Sequence, residues 1–512
     1  MLSRPARHAT AAGLMLALGA GLGWALADES EAAVDALGEQ TGGSTTVPAV
    51  GRNAFSFPFA NLDDEERQRF AVGNSFFRRN WVEAPASTTA RDGLGPHFIA
   101  RSCGGCHDQD GRGAPPDFKR GLNEQPIGLL VRISVPVDEA PKPDAARQAP
   151  RGGQGSSGAA RHSLEGEGPM ATAPEPVYGD QFNNRAVGGV KPEGEVRIRL
   201  KPVTGRFADG TRYTLQAPHY SFARLAYGPM QKGTLLSPRI APQLPGVGLI
   251  DAIAEGDILA NETAQREMSG PIKGRANHVS DIWSGEMRVG RFGWKANVPT
   301  LVHQTAGAFL GDMGITSRVF PKEACTAAQA DCLASPHGGQ TKGGGEGPEI
   351  DDTTLSHVVF YESTLAPPAR RDAREPEVLR GQKLFQSAQC AVCHRPSYVT
   401  AGAPFPALSS PKVAGQKIYP YTDLLLHDMG PGLADGRPDG QANGRQWKTP
   451  PLWGIGLIRD VNGHQRLLHD GRANGVLEAV LWHGGEAEAS KQRVLKMSGA
   501  ERAALVKFVE SL

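Results

Sequence analysis

The 512-residue sequence is poor in aromatic side chains, which make up 6% of it, and in cysteine, which occurs six times. Its charges nearly cancel, with 55 Lys and Arg against 54 Asp and Glu. This balance excludes a global electrostatic attraction to nucleic acid, so no nucleic-acid partner is predicted. Few aromatics beside 64 glycines and 39 prolines indicate long loops wrapped around something other than aromatic side chains. A bulky prosthetic group would fill that place.

Long apolar runs are also missing, except for AAGLMLALGAGLGWALA near the N-terminus. Arg4 and Arg7 precede this run, which ends in the small-x-small cleavage site Ala25-Leu26-Ala27. This order predicts a signal peptide over residues 1–27. A membrane anchor is less favoured because the run is short and contains glycine. We therefore expect an exported, periplasmic protein with no membrane span in its mature form.

Four of the six cysteines belong to two copies of Cys-x-x-Cys-His. The copies are Cys103, Cys106 and His107, and Cys390, Cys393 and His394. This pattern is the attachment signature of a c-type haem, in which two thiols bond to the porphyrin vinyl groups and the histidine binds iron. Zinc normally needs a second half-site nearby, and a redox disulfide does not explain the histidine. The sequence therefore predicts two covalently bound haem c groups.

The remaining cysteines, Cys325 and Cys332, lie in EACTAAQADCL. Free thiol pairs rarely persist in an oxidising compartment, so we predict a disulfide that closes a short loop and contributes roughly 2–3 kcal/mol. A redox-active pair is less favoured because six residues, rather than two, separate the cysteines.

Amphipathic segments precede both motifs and end the chain. NLDDEERQRFAVGNSFFRRNW predicts a helix capped by Asn61 with Phe77 on its apolar face. EPEVLRGQKLFQSAQ predicts a second helix with Pro376 in its first turn and Phe385 facing inward. SGAERAALVKFVESL begins with a capping box at Ser498 and predicts a terminal helix.

Material of another kind separates the two motifs. Residues 138–176 are rich in Pro, Gly and Ala and predict a mobile surface loop. GEVRIRLKPVTGRFADGTRYTL alternates apolar and charged residues around the hairpin signal Asp209-Gly210, so we predict a small β-rich insert. Residues 293–314 and 446–471 echo each other faintly, each with Trp-Lys and a later Asp and Gly.

These patterns together predict a mainly α fold with long loops, two cytochrome c-type haem domains and a small β-rich insert. After the signal peptide, the predicted units are a discontinuous first haem domain (50–125 plus 275–335), a loop and β-rich insert (126–274) and a second haem domain (370–512).

The two motifs, the run TPPLWG and the segment LHDGRANGVLEAVLWHGGEA resemble the di-haem oxidoreductases. This group is related to the bacterial di-haem cytochrome c peroxidases and to the di-haem enzyme that matures methylamine dehydrogenase. DGLGPHFIARSCGGCH, GRFGWKA and AFLGDMGITS extend the resemblance over most of the chain after residue 50, to a family also labelled "thiol oxidoreductase". The thiol label has no support beyond the haem-binding cysteines.

The resemblance implies a second ligand for the C-terminal iron. In the peroxidases this ligand stands fourteen residues after the His of His-Asp-Gly, and fourteen residues after His469 stands His483. A haem held by His394 and His483 would be six-coordinate and of low potential. Met429 is the rival ligand and is less favoured.

The first haem departs from the family pattern. Gly311-Asp312-Met313-Gly314 stands where the peroxidases carry Trp-Asp-Gly-Arg before an acid–base residue, so no catalytic residue is assigned. The iron at His107 is open or capped by Met313, His278 or His303. Other residues are weaker candidates: Glu286 for the acid–base group, and Trp283, Trp294 or Trp447 for an aromatic residue between the haems. Calcium is not favoured, because the stretch before His469 lacks the Thr-x-Pro expected there.

The resemblance implies a periplasmic oxidoreductase whose C-terminal haem passes electrons to an N-terminal haem that reduces peroxide or a similar small oxidant. An electron-donor protein, such as a small cytochrome or a cupredoxin, would supply the electrons. A non-enzymatic electron carrier or redox sensor is the alternative, favoured by the missing acid–base pattern. Oxidation of a partner protein is a third, weaker hypothesis.

Overall fold

The computed structural model describes residues 37–88, 90–115, 128–137, 172–340 and 347–512. The predicted signal peptide and most of the predicted loop over residues 138–176 lie outside these ranges. Within them, no helix is both long and apolar enough to cross a membrane.

The α-helices of the described residues are short, and the first, with 15 residues, is the longest of them. They are α1 (Asp64–Arg78), α2 (Cys103–Cys106), α3 (Val247–Asp251), α4 (Glu255–Glu267), α5 (Leu301–Met313), α6 (Ala330–Leu333), α7 (Asp352–Ser363), α8 (Pro376–Ser387), α9 (Ile458–Asn462), α10 (Val476–Trp482), α11 (Glu488–Lys496) and α12 (Gly499–Ser511). Short 3-10 turns separate several of them, including one at Cys390–Val392.

The strands are mostly short and form small sheets. They are β1 (Val82–Glu83), β2 (Asp92–Leu94), β3 (His97–Phe98), β4 (Leu129–Pro136), β5 (Thr172–Ala173), β6 (Gln181–Phe182), β7 (Arg185–Ala186), β8 (Glu195–Arg206), β9 (Arg212–Ala223), β10 (Leu235–Ile240), β11 (His278–Ser280), β12 (Met287–Val289), β13 (Tyr398–Val399), β14 (Lys417–Ile418), β15 (Leu426–Asp428), β16 (Gln446–Lys448), β17 (Arg466–Leu467) and β18 (Ala473–Asn474). A four-stranded sheet has β4 bonded to β5, β6 and β10, whereas the other strands pair two by two.

The prediction of a mainly α fold is wrong. Helices account for 32% of the residues and strands for 19%, spread over many small sheets. The β8–β9 hairpin alone contributes two strands of 12 residues each. Its turn follows the sequence signal, since Gly210 has φ +85 and the Asp209 carboxylate accepts a hydrogen bond from the Thr211 N–H at 3.0 Å. Frequent glycine and proline keep the helices short, and many connecting segments pair as strands instead.

Two separate cytochrome c-type domains are not visible either. The buried apolar residues form two large clusters, and each cluster takes members from both halves of the chain. Trp453 packs in the cluster that contains Phe77, whereas Phe55 packs in the cluster that contains Phe385 and Phe508. The two apolar clusters do not divide at the predicted domain boundaries. These boundaries stay predictions.

The capping residue of helix α1 lies two positions later than expected. The Asp63 carboxylate, not the Asn61 amide, accepts a hydrogen bond from the Glu66 N–H at 3.0 Å. The Glu66 side chain in turn accepts one from the Asp63 N–H at 3.2 Å, which completes a capping box. Because Glu66 stands three residues after Asp63, the capping box forms with Asp63 and not with Asn61. The capping box at Ser498 and the position of Pro376 in the first turn of α8 are both confirmed.

Helices α1 and α7 cross at close range beside the first haem motif. A Cβ at Gly73 would overlap the carbonyl oxygen of His357, so only glycine allows this approach. One turn further along α1, the Phe77 ring lies 5.2 Å from the Tyr361 ring. The first motif is thus supported by a tightly packed helix pair.

Helices α8 and α12 repeat this arrangement beside the second motif. A Cβ at Gly381 would overlap the carbonyl oxygen of Ala504, and the Phe385 ring lies 5.1 Å from the Phe508 ring. In both pairs a glycine at the crossing precedes an aromatic residue by four positions. This spacing places both on one face of the helix.

Substitution of Gly381 by alanine should destabilise the protein by about 1–3 kcal/mol, because the added methyl group has no space at the helix crossing. Gly256 in α4 is the matched control, since a Cβ there meets nothing within 4 Å. G256A should leave stability unchanged or raise it by up to about 1 kcal/mol. Thermal unfolding followed by circular dichroism checks both, and equal midpoints for G381A and the wild type would contradict the crossing.

Candidate haem site

Both Cys-x-x-Cys-His motifs line one cavity of about 610 Å³. Cys106 and His107 reach it from the first motif, and Cys390, Cys393 and His394 reach it from the second. Cys103 is half-buried against the core beside them. The cavity volume falls within the range of about 300–1,000 Å³ usual for ligand and cofactor sites. Two motifs that are far apart in sequence therefore meet at a single site.

Both motif histidines are oriented by backbone carbonyls. His107 Nδ1 lies 3.4 Å from the Gly111 oxygen, and His394 Nδ1 lies 3.0 Å from the Tyr421 oxygen. Burial lowers the pKa of both rings, and that of His394 to about 4 with a further contribution from His483. A neutral ring that donates its Nδ1–H keeps an Nε2 lone pair for a metal, which is the usual arrangement of metal-binding histidines. The two histidines thus fit the role of iron ligands.

His483 has the same orientation. Its Nδ1 lies 2.7 Å from the Ala479 oxygen, its pKa is lowered by burial, and its side chain lines the cavity. It is also close enough to His394 to lower the pKa of that ring. Met429 lines the cavity too. The choice of His483 over Met429 as the second ligand therefore stays a prediction.

The four motif cysteines are free and their thiols are poor nucleophiles. Burial raises the pKa of all four, and that of Cys390 to about 12. Redox-active thiols need a lowered pKa, so the geometry does not suit a dithiol oxidoreductase. The other two cysteines, Cys325 and Cys332, form the predicted disulfide.

The three candidate caps for the iron at His107 lie in different places. His303 lines the cavity, and its Nδ1 accepts a hydrogen bond from the Ile282 N–H at 3.2 Å. Met313 is buried in the apolar core, and His278 is exposed on β11. Of the three candidates, only His303 lies in the cavity wall.

Glu362 is a cavity residue that sequence reasoning missed. Its side chain lies at the C-terminal end of α7, is 8% exposed, and accepts a hydrogen bond from the Thr305 hydroxyl at 2.5 Å. Burial raises its pKa to about 8. Glu286, the sequence candidate for the acid–base group, is instead 66% exposed at the surface. No local motif marks Glu362, because its burial arises from the packing of α7 against α5.

Two of the three candidate tryptophans border the cavity. Trp294 and Trp447 both line it, with their indole N–H groups donating to the Ile240 oxygen at 2.8 Å and the Leu433 oxygen at 2.9 Å. The backbone N–H of Lys448 donates to the Trp294 oxygen at 2.9 Å, so the two echoing Trp-Lys segments meet. Trp283 instead packs against Phe405 in a separate part of the core.

Within the described residues, two groups of His, Cys, Asp and Glu place their ligand atoms within 4.8 Å of one another. The first group comprises Cys393, Asp423 and His427. Both ring nitrogens of His427 are engaged in ion pairs, because they lie 2.9 Å from Asp423 and 2.7 Å from Glu486. The second comprises Glu323, His337 and Glu349. Each includes an imidazole, which suits transition metals better than calcium. Whether calcium lies between the haems, which the sequence leaves possible but doubtful, is not tested by them.

A cavity that joins two Cys-x-x-Cys-His motifs through carbonyl-oriented histidines defines a protein built around two haems. The model of the family described as "Di-haem oxidoreductase, putative peroxidase" matches residues 35–150 and 207–512. The chain therefore belongs to the di-haem oxidoreductase family, and it is a peroxidase-like oxidoreductase with two haem cofactors.

Other comparisons add little to this assignment. None of the curated proteins matches the chain. Among solved structures, the chain is similar to the crystal structure of the diheme peroxidase BthA from Burkholderia thailandensis E264, at 17% identity over 53% of this chain and 77% of that chain. The TM-score of 0.25 is too low for this likeness to support a conclusion about fold or function.

Replacement of His483 by methionine in the haem-loaded protein should raise the potential of one haem and leave the other unchanged. A thioether ligand stabilises ferrous iron, and axial ligands tune haem potentials over about 0.8 V. Spectroelectrochemical titration of H483M against the wild type measures both potentials. M429L is the matched control, and a shift in M429L with none in H483M would identify Met429 as the ligand instead.

Proposed function

We propose that this protein is a periplasmic di-haem peroxidase in which the haem at His394 delivers electrons to the haem at His107. Peroxide, or a similar small oxidant, is reduced at the His107 end of the cavity. The observation that carries the proposal is that the two motifs share one cavity but differ in the groups that surround them.

The second motif has the surroundings of an electron-transfer site. His394 and His483 are half-buried and close to one another, the pKa of each ring is lowered by desolvation, and the Nδ1 of each lies at hydrogen-bond distance from a backbone carbonyl. Bound haem would supply a one-electron redox centre, and two imidazole ligands would leave its iron no free position. These residues support a haem that stores and passes electrons without binding substrate.

The first motif has the surroundings of a reactive site. Met313 and His278 do not reach the cavity, whereas His303 lies in its wall with Nδ1 engaged by the Ile282 N–H. The nearby wall also carries the carboxyl groups of Asp312 and Glu362. Peroxide reduction needs an open iron position and a group that moves a proton. The carboxyl groups favour an enzyme over the alternative of an electron carrier whose two irons are capped.

Trp294 and Trp447 are proposed to assist electron transfer between the haems. Both border the cavity, and the Trp447 ring stacks on the His469 ring at 3.8 Å between centroids with an interplanar angle of 10°. The backbone hydrogen bond between their segments fixes their separation. The donor of the electrons is proposed to be a small cytochrome or a cupredoxin.

Export to the periplasm is supported by the disulfide between Cys325 and Cys332, since disulfides persist in oxidising compartments. The predicted signal peptide over residues 1–27 agrees with this location. Covalent haem attachment is supported by Cys106, Cys390 and Cys393, which line the cavity and form no disulfide.

Covalent attachment predicts that both haems stay on the polypeptide after extraction with acidified acetone. The variants C103A/C106A and C390A/C393A should each lose one haem and keep the other. Mass spectrometry of the intact denatured chain would read the loss directly. C325A/C332A is the matched control and should keep both haems, whereas full loss of haem from the wild type on extraction would contradict covalent attachment.

The proposed division of roles predicts one high-spin and one low-spin ferric haem in the oxidised protein, and a first haem that reacts with peroxide in the oxidised or the half-reduced protein. Addition of peroxide should change only the high-spin signal, because only that iron has a free position. Electron paramagnetic resonance and visible spectra before and after peroxide measure this. Two low-spin haems that ignore peroxide in both redox states would contradict the enzyme and favour the electron carrier.

A further inference from the structure

The aromatic rings around the two motif histidines repeat closely in distance and angle. Phe77 lies 6.3 Å from His107 with an angle of 50°, and Phe385 lies 6.2 Å from His394 with an angle of 53°. The partner of Phe77 on α7 is Tyr361. The two ends of the cavity therefore share one aromatic framework, in which residues of one end correspond to residues of the other.

The same arrangement shows which residues of α7 and α12 correspond to each other. Because Phe508 packs on Phe385 as Tyr361 packs on Phe77, the residue that follows each aromatic occupies an equivalent place. These residues are Glu362 and Val509, and both line the cavity. A carboxyl group at the first haem thus stands where the second haem has a hydrocarbon side chain.

The surroundings of Glu362 contain no cation among its described electrostatic partners. Helix α5 offers the Thr305 hydroxyl, the segment after the first motif offers the carboxylate of Asp110, and α2 offers Cys103. Asp110 is already paired with Arg78 at 2.5 Å and accepts a hydrogen bond from the Tyr361 hydroxyl at 2.6 Å. Asp312, another cavity carboxyl group, lies near Cys103 and has Arg132 as its cationic partner.

Burial of a carboxyl group with a single hydroxyl donor lowers stability, because a buried charge without a cationic partner is costly. Buried carboxyl groups of this kind cluster at sites where a proton is exchanged. The burial raises the pKa of Glu362 to about 8, so the side chain exchanges a proton near neutral pH. The Thr305 hydroxyl favours the ionised form and limits this rise in pKa.

We propose that Glu362 is the proton-exchanging group of the haem at His107 and the acid–base residue of peroxide reduction, with Thr305 as its positioning residue. The inference rests on the proposed function. With haem bound at His107, the Glu362 carboxylate would take a proton from one peroxide oxygen and return it to the other. The O–O bond would break as the doubly protonated oxygen leaves as water. Two electrons from the donor protein and two protons from solvent would reduce the other oxygen to a second water.

The substitution E362Q removes the proton and keeps the size of the side chain and its capacity to accept from Thr305. The haem-loaded variant should react with hydrogen peroxide roughly 10²–10⁴-fold more slowly than the wild type. The wild-type rate should rise with pH as the carboxylate forms, whereas the E362Q rate should be independent of pH. E286Q alters an exposed glutamate and should match the wild type.

The substitution T305V should move the rise in rate to higher pH, because loss of the hydroxyl donor disfavours the carboxylate. T305S keeps the donor and should restore the wild-type profile. A role of Thr305 in packing alone would lower the rate of T305V without moving its pH profile, and that outcome would overturn its positioning role.

A second measurement does not need peroxide. Ionisation of Glu362 places a negative charge beside the first haem, so the midpoint potential of that haem should fall as pH rises. E362Q should remove this slope, whereas the second haem, with Val509 in the equivalent place, should keep its own. The ligand variant H483M, which moves only the second potential, assigns the two.

The outcomes separate the inference from the function on which it rests. Wild-type and E362Q proteins that react with peroxide at the same rate and with the same pH profile would overturn the inference and leave the peroxidase standing. A wild type that does not react would overturn the proposed function and the catalytic step. The pH dependence of the midpoint potential of the first haem then decides whether Glu362 changes its protonation beside that haem. An unchanged slope in E362Q would overturn this role of Glu362 too.

Discussion

The close backbone approach at Gly73 and Gly381 is the constraint on which the rest of the structure depends. A side chain at either position would separate the helices, and the aromatic pairs one turn further along would lose contact. The first aromatic of each pair lies against a motif histidine, whose other side is fixed by a backbone carbonyl. The orientation of each motif imidazole, whose nitrogen is the proposed iron ligand, is therefore set by helix packing and not by the motif alone.

Within this repeated frame the two ends of the cavity differ in polarity. At the second end, His394, His483 and Val509 line the cavity, and His427 is held in ion pairs with Asp423 and Glu486. At the first end, Glu362 and Asp312 bring carboxyl groups into the wall. One packing scheme therefore supports two kinds of chemistry, because the residues that hold the backbone are distinct from those that face the cofactor.

Sequence reasoning succeeded where short-range chemistry decides the structure. The capping box at Ser498, the hairpin at Asp209 and the disulfide at Cys325 each depend on residues a few positions apart. It failed where distant segments decide. Nothing near Glu362 in sequence reveals that α5 will bury it, and nothing near Phe55 reveals that it packs with α8 and α12. The mainly α prediction failed for the same reason, since short connecting segments become strands only when a partner lies alongside.

The two apolar clusters interlock, with Trp453 of the second half in one and Phe55 of the first half in the other. Neither half of the chain therefore forms a complete apolar core by itself. A fragment that ends between the two motifs would expose apolar surface that the other half of the chain normally covers. The chain is then expected to unfold as a whole, so that a substitution that destabilises the surroundings of one motif also destabilises the surroundings of the other. Such mutual dependence keeps the two redox centres at a fixed separation for as long as the protein is folded.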